Sequence, residues 1–433
     1  MNLSQKIRKI YFNNGILTDE EMQFSRNISV FEGCTARSIL TLTSGAFLVG
    51  FAKFLGANDQ ITGIIAAVPV LAGIITAVSP IVFEKMQNRK LITCLFCFIG
   101  RLLLGTMIFI PFIKVSYTAQ ISLLISIFLV ANLFLSFTMP ASQTWILGIT
   151  PEKIRGEYFG RRESVVLGVV TFITLLMGQV LDRFDNMGHQ FTGFLVMYVF
   201  VIITALINFI LFSSMKEPEN QLSGQHISFK NIILLPLRNK KYMLIALVMI
   251  IWNIGFQLAA PFTSVYMVSS LGLGYGYITG MVVLASVTSV ITVRFWGKLA
   301  DSKSWLYLLK HMMVLQILCF IIWFFINTKT EFILLPIAHI LSGAAISGIN
   351  ISINNIQYNF APIENKTVYM GFSSAVNGLF GFSGTLVGSY FIKFAESFNN
   401  SILGFTIRNI QLIFLVAAVV LAAGILVTKV IKK

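Results

Sequence analysis

Charged side chains inside long apolar runs are the residues here whose chemistry needs most explanation. Arg101 lies ten residues into the run 91–113, roughly 15 Å of helix from its start and too deep to snorkel easily to either surface. Such a group marks a positive site for an anionic substrate group, a partner for a moving carboxylate, or a structural ion pair. Arg37 is placed by a repeat: setting Leu55-Gly56 against Leu271-Gly272 puts Arg37 opposite Asn253 and Thr41 opposite Gln257. Asn253, Gln257, Pro261 and Ser264 share one helical face, so Arg37 and Thr41 line a cavity if that face does. The other reading starts the first helix late and leaves Glu32 and Arg37 at the interface. Ser347, Asn350, Asn354 and Gln357 make a polar stripe, and the repeat sets Asn354 opposite Gln143, with Trp145 nearby. Amides at these depths either recognise a ligand or join helices by hydrogen bonds. Glu32, the deepest carboxylate, and His339 are the candidates for taking up and releasing a proton. His339 has packing as its alternative.

A second kind of chemistry sits between the apolar runs. Residues 297–303 read Gly-Lys-Leu-Ala-Asp-Ser-Lys, a short basic loop with one acid, Asp301. A weaker copy, Pro80–Lys85, carries Glu84-Lys85, followed by Arg89-Lys90. A carboxylate here can dock on the unpaired N–H groups of a helix start. Residues 151–162, with Arg155 and Arg161, form a further basic segment.

Several chemistries find no footing. There are no grouped His, Asp and Glu metal ligands and no Ser/His/Asp arrangement at one depth, so neither a metal nor an enzyme is expected. The G-x-x-x-x-G-K-[ST] phosphate loop is absent, and no cofactor is expected. Cys94-x-x-Cys97 has redox spacing but lies in an apolar run, where both read as small fillers. The net charge of +15 spreads over short connecting segments, which argues against nucleic acid as a partner.

The elements that must hold these groups are membrane helices. The chain has 433 residues, 56% hydrophobic and 11% charged, and runs of about 20 apolar residues recur throughout. The runs are continuous rather than alternating, which excludes a closed barrel. Twelve spans are expected at 29–54, 61–82, 91–113, 121–147, 164–181, 192–213, 242–268, 276–295, 307–326, 332–355, 367–392 and 405–428. With the N-terminus inside, the outer segments hold only Lys53, Lys114, Arg183, Lys329, Lys393 and Arg408. This asymmetry favours both termini on the cytoplasmic side. Met1–Gln23 is polar, without the apolar core of a signal peptide. The expected division is a six-helix half over 1–213, a cytoplasmic linker over 214–241 with one short surface helix, and a six-helix half over 242–433. Pro151, Tyr158 and Gly160 after the fourth span recur with the same spacing as Pro362, Tyr369 and Gly371 after the tenth. Internal repeats of this kind belong to one large transporter architecture.

Over essentially its whole length the chain resembles the major facilitator superfamily. That family carries a pattern close to G-x-L-a-D-R-x-G-R-R between its second and third helices, and a weaker one between the eighth and ninth. Here the better copy is the second: Gly297, Leu299, Ala300 and Asp301 match. In the first copy Glu84-Lys85 stand for the Asp-Arg pair, Arg89-Lys90 for the basic end, and Pro80 replaces the first Gly. Residues 151–162 resemble a segment of bacterial permeases in the same superfamily. The resemblance implies an all-α fold of two pseudo-symmetric halves and a cytoplasmic gate. In that gate Glu84 would lie near Lys366–Tyr369 and Asp301 near Tyr158–Glu163 when the inner side is closed. It implies a monomeric secondary transporter of the cell membrane, moving a small organic solute by alternating access, with export the favoured direction. An uptake carrier or uniporter for a polar or anionic metabolite is the rival, and a receptor or enzyme on the same scaffold a more distant one. Many proton-coupled relatives carry a mid-helix carboxylate, and many exporters an Arg in the fourth helix. This chain shows neither.

Overall fold

The computed structural model describes residues 11–12, 17–83, 85–218, 229–362, 366–395, 399–402 and 405–428. Glu84, the first-copy gate acid, lies outside them. Among the described residues, eleven helical segments are long and apolar enough to cross a membrane. A bent pair at the chain start brings the total to twelve.

That pair is α1 (Asp19–Leu42) and α2 (Gly45–Phe54), bent by 42°. α1 begins ten residues before the expected first span, because Thr18 and Glu21 form a reciprocal capping box around its first turn. It stops where Gly45 takes a φ of +54°, a left-handed conformation that Gly adopts without strain. α3 (Asp59–Ala72) is capped by Asn58, continues as the 3-10 turn Gly73–Ala77 and is followed by α4 (Ser79–Phe83). α5 (Lys90–Thr106) runs into a 3-10 segment, Met107–Phe112, where Pro111 removes a backbone donor. Next come α6 (Tyr117–Gly148), α7 (Arg155–Asn186) and α8 (Gln190–Ser214).

After the connecting segment come α9 (Phe229–Arg238), α10 (Lys240–Val265), α11 (Tyr275–Ser302) and α12 (Trp305–Phe325). α13 (Glu331–Phe360), α14 (Lys366–Phe394) and α15 (Asn409–Thr428) complete the helices. A small antiparallel hairpin, β1 (Asn399–Ile402) with β2 (Phe405–Arg408), precedes α15. The last span therefore starts at Asn409 rather than at 405. Both Leu-Gly landmarks of the repeat have one physical cause: Gly56 and Gly272 take φ of +86° and +64°, ending their spans in the left-handed region.

Two stretches expected as loops are helical. Gly297–Ser302 forms the last turns of α11, since nothing from Lys298 to Asp301 breaks a helix; the Lys303 N–H closes it on the Leu299 carbonyl. α7 starts at Arg155, nine residues before the expected span, so Tyr158 through Glu163 lie on a helix.

The chain divides into two compact units. Unit 1 holds residues 1–56 and 75–229; unit 2 holds residues 57–74 and 230–433. In unit 1, α1 packs on α7 and α8, and α5 on α6 and α8. A Cβ on Gly105 would stand 2.6 Å from Ile202, so α5 meets α8 at near-backbone distance. In unit 2, α14 packs on α10 and α3, and α13 on α11 and α12. The small residues of α14 serve that packing: a Cβ on Gly384 or Gly388 would meet the Ile254 or Leu258 carbonyl at 2.6 and 2.5 Å.

Candidate functional site

Four helices of unit 1 converge on one carboxylate. Glu32 of α1 is 5% exposed; its Oε1 lies 3.1 Å from Nη2 of Arg101 on α5, and its Oε2 lies 3.6 Å from Nη2 of Arg162 on α7. Asn208 of α8 completes the group. Its side-chain oxygen accepts from Arg101, and its amide donates to the Glu32 carbonyl at 3.1 Å and to Thr35 Oγ1 at 2.7 Å. Arg162 is held further by the Ser29 carbonyl at 3.2 Å and by Glu163 at 2.9 Å. Arg101 Nε is buried and without a hydrogen-bond partner.

The sequence dictates this geometry locally. Glu32 and Thr35 are three residues apart on α1, so one turn presents both to Asn208. Gly33 leaves room beside them: a Cβ there would stand 2.6 Å from Arg162 Nη2. Tyr158, three residues into α7, donates its hydroxyl to the Arg26 carbonyl at 3.0 Å and meets the Ser29 hydroxyl, fixing the start of α7 to α1. Two cations around one buried anion form a compact group in which each charge has a partner. Removing Glu32 leaves Arg101 without an anion, at a cost of about 3–5 kcal/mol, whereas removing either arginine leaves Glu32 the other.

The other sequence candidates fall into place unevenly. Arg37 and Glu163 are exposed and stand 3.8 Å apart. Thr41 donates to the Arg37 carbonyl. Gln143 is exposed, while Trp145 is fully buried, stacked on Phe212 with its indole N–H on the Lys216 carbonyl. Trp145 thus takes a packing position. In unit 2, Asn253 donates to the Asn377 side chain at 2.8 Å, and the Gln257 carbonyl accepts from Thr385. Asn350 and Asn354 are exposed. His339 is buried with Nδ1 2.9 Å from the Leu335 carbonyl and its ring beside Trp323.

Among the gate candidates, Lys85, Arg161 and Asp301 are exposed and Gly297 is part-buried. Arg155 reaches Glu152 at 3.8 Å. Arg89 is buried instead, its Nε 3.3 Å from Glu217 Oε1. The same carboxylate accepts the backbone N–H groups of Arg89 and Lys90 at 2.9–3.0 Å and so caps the start of α5. Burial raises the Glu217 carboxyl above its ordinary value, while the Lys90 and Arg89 N–H groups and the Arg89 guanidinium pull it down. Cys94 and Cys97 are buried free thiols, with Cys97 against Thr138 at 3.1 Å.

Asn208, Arg162 and Glu217 did not emerge from sequence reasoning. Asn208 could have been found as the lone amide in the run 192–213. Arg162 was hidden by the late start assigned to its helix. Glu217 carries no local signal for a partner 128 residues away.

The family profile described as the Major Facilitator Superfamily matches residues 33–385. No curated protein sequence matches the chain. Among solved structures, a mutant of a nucleoside transporter superposes with a TM-score of 0.74 at 13% identity, covering 95% of this chain and 100% of its own. A D-xylose-proton symporter gives a TM-score of 0.66 at 11% identity, covering 92% and 97%. A bacterial metal transporter gives 0.58 at 10% identity, covering 96% and 99%. The shared element is the fold, since the three are named for a nucleoside, a sugar and a metal. With the profile spanning most of its length and its apolar helices arranged on this fold, the chain belongs to the Major Facilitator Superfamily of membrane transporters.

Proposed function

We propose that this protein is a secondary transporter that moves a small organic solute by alternating access, with Glu32 as its proton-coupling group. The observation that carries the reading is the carboxylate of Glu32, buried between Arg101 and Arg162. A proton on Glu32 removes the anion that holds two guanidinium groups together. Arg101 then keeps Asn208, and Arg162 keeps the Ser29 carbonyl and Glu163. The unit therefore has two electrostatic states, differing by one proton, as coupling requires. His339 has its ring bonded to its own helix and takes second place.

The proposed frame is a monomer in the cytoplasmic membrane with both termini inside. Six-helix halves over 1–213 and 242–433 are joined by the linker 214–241. Asp301, Glu84, Lys85, Arg89, Arg155, Arg161 and Gly297 are assigned to the cytoplasmic gate. Substrate contact is assigned to Arg37, Thr41 and Gln143 in the first half and to Asn253, Gln257, Asn350 and Asn354 in the second. Arg37 is exposed and weakly paired, which favours a substrate with an anionic or strongly polar group. Export is the direction we retain. Uptake is the second reading, favoured by the D-xylose-proton symporter among the structures of similar fold.

A thermal-shift screen of the purified protein against polar metabolites tests the reading. A true ligand at a hundred times its Kd raises stability by about 2.7 kcal/mol. Arg37→Ala is expected to remove that shift while leaving the ligand-free unfolding midpoint in place. A ligand that stabilises Arg37→Ala as strongly as the wild type would show that Arg37 is no substrate contact.

A further inference from the structure

We infer that α9 and the basic step into α10 form a docking surface for anionic phospholipid headgroups, tied mechanically to the first turn of α14. One residue, Asn239, separates the end of α9 at Arg238 from the start of the span α10 at Lys240. That connection holds α9 at the boundary of the bilayer. One face of α9 is committed to the protein, with Ile232 and Pro236 buried. The adjoining face, about 100° round the helix, still presents Ile233 and Leu237, one turn apart and 40% and 47% exposed. Arg238, Lys240 and Lys241 are exposed beside this stripe. Among the described residues none forms an ion pair with these three. An apolar stripe flanked by exposed cations at a membrane boundary fits acyl chains under anionic headgroups. Charge complementarity and direct continuity with a span together name the lipid leaflet as the occupant.

Within unit 2, the surface is wired to α14 through two tyrosines. The Tyr369 hydroxyl donates to the Leu235 carbonyl of α9 at 3.3 Å. Asn239 caps α10 through the Tyr242 N–H at 3.2 Å and reaches Tyr369 with its amide at 3.5 Å. The Tyr242 hydroxyl donates to the Tyr369 carbonyl at 3.1 Å and meets Ser373 Oγ at 2.6 Å. The two rings pack edge to face with centroids 4.6 Å apart. A shift of α9 on the leaflet therefore pulls directly on α14 near its start.

The test uses the full chain in phosphatidylcholine nanodiscs containing spin-labelled phosphatidylglycerol. The wild type is expected to enrich the label. R238Q/K240Q/K241Q is expected to weaken phosphatidylglycerol binding on the order of a hundredfold, from about fivefold per lost charge. K329Q/K393Q, which removes two exposed cations at the opposite ends of their spans, is expected to bind as the wild type does. Undiminished binding by the triple variant, or an equal loss in K329Q/K393Q, overturns the site. For the mechanical tie, added phosphatidylglycerol is expected to increase hydrogen-exchange protection of residues 368–372 in the wild type and not in Tyr369→Phe. Tyr369→Phe is expected to bind the lipid as the wild type does. A Tyr369→Phe response equal to the wild type overturns the tie while leaving the site.

Discussion

At the scale of residues, the protein turns on which charges are left when one is removed. Glu32→Gln leaves Arg101 and Arg162 facing each other without their shared anion, and Arg101→Gln leaves Glu32 with Arg162 alone. Glu32→Gln is expected to lower unfolding stability by about 3–5 kcal/mol, and Arg101→Gln by less, because Arg162 remains beside Glu32. The double variant should lose less than the sum, by about 0.5–3 kcal/mol, because neither partner is then stranded. Strict additivity in chemical denaturation would show that the pair is not coupled. Gly33→Ala offers a gentler probe, since its methyl must displace the Arg162 guanidinium while no charge is removed. Both charges of the pair were legible in the sequence, because a charge inside an apolar run stands out. Their pairing was not, because it depends on Asn208 and Arg162 on two further helices.

At the scale of elements, two helix ends carry separate predictions. Asp301 sits exposed on the last turn of α11 rather than in a loop, so its carboxylate is presented by a rigid element. Asp301→Asn is expected to raise cysteine labelling at the inner face, by shifting the resting population towards inward-open. Unchanged labelling removes Asp301 from the gate. Glu217 caps α5 from 128 residues along the chain, and burial raises its carboxyl. The folded state then binds this proton more tightly than the unfolded chain, whose Glu titrates near about 4.3. Its contribution to stability is complete below that value and is lost as pH rises through the higher folded value. Glu217→Gln is expected to flatten that part of the stability profile; an unchanged slope contradicts the assignment. Spans were legible because length and hydropathy decide them. Their starts were misjudged where polar residues continue a helix beyond the bilayer, as in α1 and α7, since hydropathy ends at the membrane and capping does not.

At the scale of the whole molecule, the repeat gives the chain its regularity. Tyr158 and Tyr369 hold corresponding places after the fourth and tenth spans. Each donates its hydroxyl to a backbone carbonyl at the start of its own unit's helix set, Arg26 in one and Leu235 in the other. That shared duty explains a spacing the sequence could only record. The membership in the transporter superfamily was readable from the twelve runs and the Gly297–Asp301 motif, while cargo was not, because a motif shared across a superfamily carries no signature of one solute. The central claim is that Glu32 couples a proton to solute movement. It is tested most directly in proteoliposomes, by following a ligand from the thermal-shift screen with and without an imposed pH gradient. Gradient-driven accumulation is expected for the wild type, and for Glu32→Gln only equilibration at the same rate with and without the gradient. Indifference of the wild type to the gradient, or accumulation by Glu32→Gln equal to the wild type, would contradict it.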